Sequence, residues 1–262
     1  MFSNVIKLVA TDMDGTLLDS HKRLPKDFKE WVRNHPDILT VIASGRQYYA
    51  LERDLKDIRD SLVFIAENGS LVFQKGKIIY QDLMEEKDIL TVLDILDRIP
   101  YATPLLCGVN SAYRLKSDDE EMYHATMYYE RLELVEDLKR VAHDEKIVKL
   151  AIYFRNQMAE KSAHYFSELP SHLKAVVSGV SWIDIANADV NKGRALREIQ
   201  EQNHIRPEEC IAFGDYFNDV EMLRQVKYSF APENAHPDIK SMVSELTKSN
   251  DEDGVMKILR TL

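Results

Sequence analysis

Residues 11–19 read Thr-Asp-Met-Asp-Gly-Thr-Leu-Leu-Asp (TDMDGTLLD), directly after the apolar run Val5-Ile6-Lys7-Leu8-Val9-Ala10. That run has the length and character of a strand buried on both faces, as in parallel sheets. Two carboxylates two residues apart, followed by Gly15-Thr16, bring it to an end. In an extended strand residues i and i+2 share a face, so Asp12 and Asp14 can address one cavity where adjacent residues could not. Gly15 accepts a conformation other residues dislike and, with Thr16, lets the chain turn tightly.

Working outward, apolar strand-like runs alternate with amphipathic segments in two blocks. The pattern predicts strands at Val5–Ala10, Leu39–Ala43 and Leu62–Ala66, with helices over Lys26–Asn34 and Tyr48–Ile58. A second block predicts a helix from Gly193 to about Asn203, a strand at Cys210–Phe213, a helix from Asp219 to about Gln225, a strand at Tyr228–Ala231 and a closing helix at Val255–Leu262. Alternating apolar strands and helices specify an α/β fold, a doubly wound parallel sheet covered on both faces. Between the blocks the texture changes. A hairpin is expected from Leu71–Phe73 and Ile78–Tyr80, then helices over Glu85–Arg98, Asp118–Tyr128 and Ala159–Leu169. Strands are expected at Ala102–Leu106, Ala112–Leu115, Ile147–Phe154, Ala175–Val177 and Trp182–Ala186. The division that follows is a core of residues 1–81 and 189–262, interrupted by an α+β insertion at 82–188.

Composition narrows the partners. The 262 residues, 45% hydrophobic, can supply real cores, and the net charge of −10 argues against a nucleic-acid surface, which needs a basic stripe. A divalent cation suits this balance better. No apolar stretch has the length of a signal peptide or membrane span, so a cytoplasmic location without membrane contact is expected. Cys107 and Cys210 have no metal-like spacing and read as core residues.

In open α/β sheets ligands bind beyond the carboxyl ends of the strands. Four polar clusters fall at such places: Asp12 and Asp14; Ser44, Gly45 and Arg46 after the second strand; Lys192 at a helix start; and Asp215, Asn218 and Asp219 in "GDYFND" after Cys210–Phe213. Each alone has a simpler reading, as a turn, a helix cap or a surface lysine. Together they hold hard oxygen ligands for Mg²⁺, a cation for a phosphoryl oxygen, and hydroxyl and backbone donors.

These residues resemble the four ordered motifs of the haloacid dehalogenase superfamily: "DMDGTLLD", "SGR", Lys192-Gly193 and "GDYFND". The details are similar to its Cof-type phosphatase branch, and the likeness extends to "ENG" at Glu67–Gly69, "NAHPDIK" and "TKSNDEDGV". "APENA" at 231–235 departs from the branch's usual run, and Tyr216-Phe217 occupy two variable positions. The resemblance implies a Rossmann-like core with a large α+β (type IIB) cap, the insertion. It also implies Mg²⁺-dependent hydrolysis of small phosphorylated metabolites such as sugar phosphates, by a monomer or small homo-oligomer. Asp12 would be the nucleophile that forms an aspartyl-phosphate, and Asp14 the acid and base, with a pKa pushed upward by neighbouring anions. Mg²⁺ would be held by Asp12, the Asp14 backbone carbonyl, Asp215 and Asp219. Ser44, Gly45, Lys192 and Asn218 would bind phosphoryl oxygens, with Arg46 and Asn68 as substrate contacts. In the insertion, Asn110, Tyr113, Tyr123, His124 and Trp182 are candidates for selecting the leaving group, although aromatic residues there serve equally as core. The acidic run Ser117–Met122 reads as a solvated helix start. A phosphomutase or a non-catalytic metabolite-binding regulator are the alternatives.

Overall fold

Residues 5–116 and 129–262 are described in the computed structural model; the expected helix at 118–128, the acidic run at its start, and with them Tyr123 and His124, lie outside the described residues. The strands are β1 (Leu8–Asp12), β2 (Leu39–Ala43), β3 (Leu62–Ala66), β4 (Leu71–Gln74), β5 (Lys77–Gln81), β6 (Ala102–Gly108), β7 (Ala112–Leu115), β8 (Leu132–Val135), β9 (Ile147–Phe154), β10 (Leu173–Gly179), β11 (Trp182–Asn187), β12 (Cys210–Phe213), β13 (Tyr228–Pro232) and β14 (Glu245–Thr247). The α-helices are α1 (Phe28–Asn34), α2 (Tyr48–Asp54), α3 (Glu86–Leu96), α4 (Leu138–Asp144), α5 (Ala159–Ser162), α6 (Lys192–Gln202), α7 (Val220–Arg224), α8 (Pro237–Met242) and α9 (Gly254–Leu259).

The chain divides into two units, Met1–Tyr80 with Asn191–Leu262, and Gln81–Val190. The first is built on an eight-stranded sheet of order β14-β13-β12-β1-β2-β3-β4-β5. From β14 to β3 every neighbour is parallel. β4 then pairs antiparallel with β3, because the tight "ENG" turn returns the chain beside the strand it has just left. β1 is buried at all five positions, Thr11 and Asp12 included, as a strand covered on both faces requires. One face carries Leu8, Ala10, Val41, Ala43, Val63 and Ile65 against Ala195, Leu196 and Ile199 of α6 and Met222 and Leu223 of α7. On the other, Tyr48 of α2 meets Phe64 edge-on at 5.6 Å.

The order of the strands positions the site. From β1 the chain winds through β2 and β3 in one direction; from β12 it winds through β13 and β14 in the other. β1 and β12 are neighbours, with Thr11 opposite Phe213, so their connections diverge and leave a crevice beyond their carboxyl ends. Asp12 closes β1 and Asp215 follows β12, so both fall at this switch point.

The second unit has a six-stranded sheet of order β10-β11-β9-β6-β7-β8, antiparallel except for the parallel pair β7–β8. Leu150, Ile152, Phe154, Ile183 and Ile185 on one face join Ile89, Val92, Leu93 and Leu96 of α3, whose spacing makes a single apolar stripe, and Leu138 and Ala142 of α4. Tyr113 belongs to this core and donates its hydroxyl to Glu145 at 2.7 Å, while Asn110 donates to the same carboxylate. Trp182 packs edge-on against Tyr153 at 5.2 Å. Cys107 and Cys210 are both buried and neither is in a disulfide.

Several elements depart from the sequence reading. The helix expected over Tyr48–Ile58 stops at Asp54 and continues as a 3₁₀ turn at Lys56–Ser61. The one expected over Ala159–Leu169 is α5 plus a 3₁₀ turn at Ala163–Phe166, where His, Tyr and Phe are weak helix formers. β8, α4, α8 and β14 were not anticipated. α4 is only seven residues long, and it is started by the Asp137 side chain, which accepts from the Lys139 and Arg140 N–H groups.

Candidate active site

The centre of the site is an ammonium buried among carboxylates. Lys192 is the first residue of α6, whose start is capped by the Asn191 side chain accepting from the Arg194 N–H at 2.8 Å. Its side chain is wholly buried, and its Nζ donates to Asp12 Oδ1 at 2.6 Å and to Asp219 Oδ1 at 2.7 Å. Asp219 Oδ2 in turn accepts from the backbone N–H groups of Asp215 and Tyr216 at 3.0 and 3.2 Å. Asp215 accepts the Thr16 hydroxyl at 2.9 Å, which ties the turn after β1 to the turn after β12.

Two glycines make this closeness possible. Gly15 has φ +84°, and a Cβ there would lie 2.5 Å from Asp215 Oδ2. Gly69 has φ +111°, and a Cβ would lie 2.3 Å from the Asn191 carbonyl, so the "ENG" turn reaches the start of α6 only without a side chain. That turn is also bound to the loop after β2: Asn68 N–H donates to the Ser44 carbonyl, and Glu67 N–H to that of Arg46. Asn68 accepts from the Asn218 amide at 3.2 Å and lies against Gly45. Ser44 is buried, its Oγ accepting from the Arg46 N–H at 3.2 Å.

Asp14 is held differently. Arg46 grips its carboxylate with two donors, Nε at 2.8 Å and Nη2 at 2.6 Å, and Lys22 Nζ adds a third at 2.7 Å. The sharing of a face expected for Asp12 and Asp14 is therefore only partial. β1 ends at Asp12, and beyond it the chain turns, so the Asp14 carboxylate engages the Arg46 side while Asp12 joins Asp215 and Asp219.

Electrostatics follow from this placement. Burial pushes the Asp12 carboxyl up, against the pull of Lys192, to about 8. Burial, then the nearby Asp219 charge, raises Asp215 to about 6. Burial works against the Lys192 charge, but Asp12 and Asp219 hold its pKa above the ordinary value. Asp14 goes the opposite way from the upward shift expected for it: burial raises it, yet Arg46 and Lys22 outweigh burial and hold it below the usual carboxylate range. Asp12, Asp215 and Asp219 each offer one oxygen within 4.8 Å of the others, and one ammonium cannot balance three carboxylates. The donor set is hard, anionic and preorganised, and it fits a small divalent cation.

Four further residues build the site without having been singled out for these contacts. The Thr16 hydroxyl holds Asp215, and Lys22 holds Asp14. Asn234 donates to the Gly15 carbonyl at 2.8 Å and accepts from the Asn250 N–H, while the Asn250 amide donates to the Leu18 carbonyl at 2.9 Å. The segments "APENA" and "TKSNDEDGV" therefore pin the turn after β1. Their signal in the sequence was polar side chains in closing loops, with nothing to say which backbone they reach.

Comparison with known proteins agrees with this geometry. Residues 9–259 match the haloacid dehalogenase-like hydrolase family. The 5-amino-6-(5-phospho-D-ribitylamino)uracil phosphatase YbjI of Escherichia coli is 33% identical over 97% of this chain and 95% of its own. YwtE of Bacillus subtilis, a phosphatase of the same name, is 27% identical over 95% and 96%. Among solved structures, SMU.1108c from Streptococcus mutans superposes with a TM-score of 0.85 at 29% identity over 98% of both chains. TM0651 from Thermotoga maritima shares the fold, with a TM-score of 0.87 at 20% identity over 98% of both. The chain belongs to the haloacid dehalogenase superfamily of hydrolases, in its Cof-type phosphatase branch.

Proposed function

We propose that the chain is a Mg²⁺-dependent phosphatase that hydrolyses the phosphate monoester of a small metabolite through a phosphorylated Asp12. The observation that carries this reading is the buried Lys192 ammonium joining Asp12 to Asp219, with Asp215 close enough to complete a cation site. Asp12, Asp215 and Asp219, with the Asp14 backbone carbonyl, would hold the cation, which supplies charge neutralisation between carboxylate and phosphate. Lys192 keeps Asp12 oriented and supplies positive charge as the phosphoryl group transfers. Asp12 attacks phosphorus in line, the phosphoester bond breaks, and Asp14 passes a proton to the leaving alcohol; Asp14 then takes a proton from the water that cleaves the aspartyl-phosphate. For the first step Asp14 must leave its grip by Arg46 and Lys22 and take up a proton. Ser44, Gly45 and Asn218 would donate to phosphoryl oxygens; Asn68, bound to Asn218 and packed on Gly45, would belong to the same rim, and Arg46 would contact the substrate once Asp14 leaves it. The core of residues 1–81 and 189–262 would carry the chemistry and the insertion at 82–188 would select the leaving group.

The relatives' names supply a substrate candidate, 5-amino-6-(5-phospho-D-ribitylamino)uracil, a sugar-alcohol phosphate joined to a uracil ring. The test is phosphate release from a panel of phosphorylated metabolites and a generic aryl phosphate, with Mg²⁺ and with chelator. Release that requires Mg²⁺ and is abolished by Asp12→Asn is expected. Full activity in Asp12→Asn would sink the mechanism, and isomer formation without inorganic phosphate would mark a mutase instead.

A further inference from the structure

The turn between β12 and α7 carries two large side chains that neither the sheet core nor the carboxylate cluster uses. Tyr216 and Phe217 are 55% and 47% exposed, although they lie between Asp215 and Asn218, where a turn tolerates small polar residues. Single exposed apolar residues are ordinary; here the exposed rings form a cluster. Tyr216 and Phe217 have centroids 5.1 Å apart, and His236 joins them at 5.9 and 4.6 Å. The three are edge-on or tilted, with interplanar angles of 72°, 87° and 52°, so the cluster does not use up its flat faces in stacking on itself.

The cluster is fixed to the site by backbone. Tyr216 N–H donates to Asp219 Oδ2, Asp219 N–H donates to the Tyr216 carbonyl, and His236 N–H donates to the Asp215 carbonyl at 3.0 Å. His236 Nδ1 accepts from the Asp238 N–H at 3.2 Å, so the ring proton of its neutral form sits on Nε2 and can donate outward. Flat hydrocarbon faces beside a lone N–H donor suit a planar heteroaromatic ring bearing a carbonyl, and suit a polyol or a bare sugar poorly.

We propose that Tyr216, Phe217 and His236 form a ring-binding subsite that takes the planar heterocycle of a leaving group joined to the phosphate by a polyol chain. The proposal rests on the phosphatase reading above and deepens it, since the relatives' substrate has this composition. Stacking on the exposed rings favours ring-bearing monoesters over ring-free ones, and the His236 donor orients the ring carbonyl.

The probes are FMN, a ribityl phosphate attached through nitrogen to a planar ring system, and ribitol 5-phosphate, its ring-free counterpart. The quantity read is the ratio of their kcat/KM values, which cancels any shared loss of folded or metal-loaded enzyme. The wild type is expected to favour FMN by roughly tenfold or more, the scale of one ring stacked on an aromatic side chain. In Phe217→Leu with Tyr216→Leu, which keep apolar bulk and remove the π faces, the ratio is expected to fall by about that factor, whereas Phe217→Tyr retains it. Release from an aryl phosphate with no wild-type preference for FMN overturns the subsite, as does an unchanged ratio in the leucine variants. No phosphate from any of the three compounds removes the hydrolase reading itself and the subsite with it.

Discussion

Replacing Lys192 by Met removes the positive charge inside the cluster while keeping a stem of similar length. Lys192 Nζ is buried and bonded to two carboxylates, so Asp12, Asp215 and Asp219 lose their internal counter-charge. The least costly relief available to the folded chain is one more proton on the cluster. Asp12, raised to about 8, already holds a proton at pH 7, so the extra one falls on Asp215; taking it up by a carboxyl whose unfolded value is 3.8 costs about 1.4 kcal/mol per pH unit, about 4 kcal/mol in all. This agrees with the roughly 3–5 kcal/mol lost when one partner of a buried ion pair is removed. At about 2–4 °C per kcal/mol for a unit of this size, Tm should drop by about 8–16 °C at pH 7. The sign of the pH dependence is fixed: the folded variant binds one proton more than the folded wild type, so its deficit grows as pH rises. At pH 5, below the Asp215 value of about 6, the wild type carries that proton as well, so the Tm gap should shrink to well under half of its pH 7 size. Thermal melts of both proteins in chelator at pH 5 and 7 measure it. Added Mg²⁺ at pH 7 should narrow the gap, since a cation replaces the lost charge. An equal Tm drop at both pH values would refute the reasoning and assign the loss to packing.

Gly15→Ala forces a side chain into φ +84° and sets a Cβ 2.5 Å from Asp215 Oδ2; a backbone strain of about 1–2 kcal/mol and displacement of Asp215 should lower Mg²⁺ affinity at least tenfold, as titration calorimetry would read. Because the Asp12 and Asp215 carboxyls are raised to about 8 and 6, protons compete with the cation there, and Mg²⁺ affinity should rise steadily between pH 6 and 8; a flat profile would count against these two as ligands. Glu209, held near 2 by Lys7 and the Arg206 N–H, contributes stability that is complete above its ordinary value of 4.5 and is lost as pH falls toward 2. Acid titration of Glu209→Gln should therefore show a shallower loss of stability than the wild type across that window.

Much of the first unit was legible in the residues. β2, β3 and β12 lie where largely apolar runs announce them, since strands buried on both faces have no polar side to confuse the pattern, whereas β1, expected at Val5–Ala10, is Leu8–Asp12 and runs on into Thr11 and Asp12. Short elements such as α4, α8 and β14 were not legible. α4 and α8 are started by the local caps Asp137 and His236 over too few residues to show a helical period, and β14 exists because Leu246 lies opposite Ala231 in a sheet already formed.

The site divides along the same line. The sequence by itself determined that Asp12, Lys192, Asp215 and Asp219 stand at strand ends or a helix start, because those boundaries follow from local pattern; that β1 and β12 are neighbours, so that the four meet in one crevice, is a matter of strand order, which the tertiary structure decides. Only the tertiary structure decided how their charges are shared. Lys192 lies 180 residues from Asp12 in the chain, and nothing local says that its ammonium is buried between two carboxylates. Asp14 likewise needs the fold, which brings Arg46 within 2.6 Å of it and turns a carboxyl expected to be raised into one held low. Which groups ionise in TDMDGTLLD depends on charges brought close through space, and spacing along a chain does not encode them.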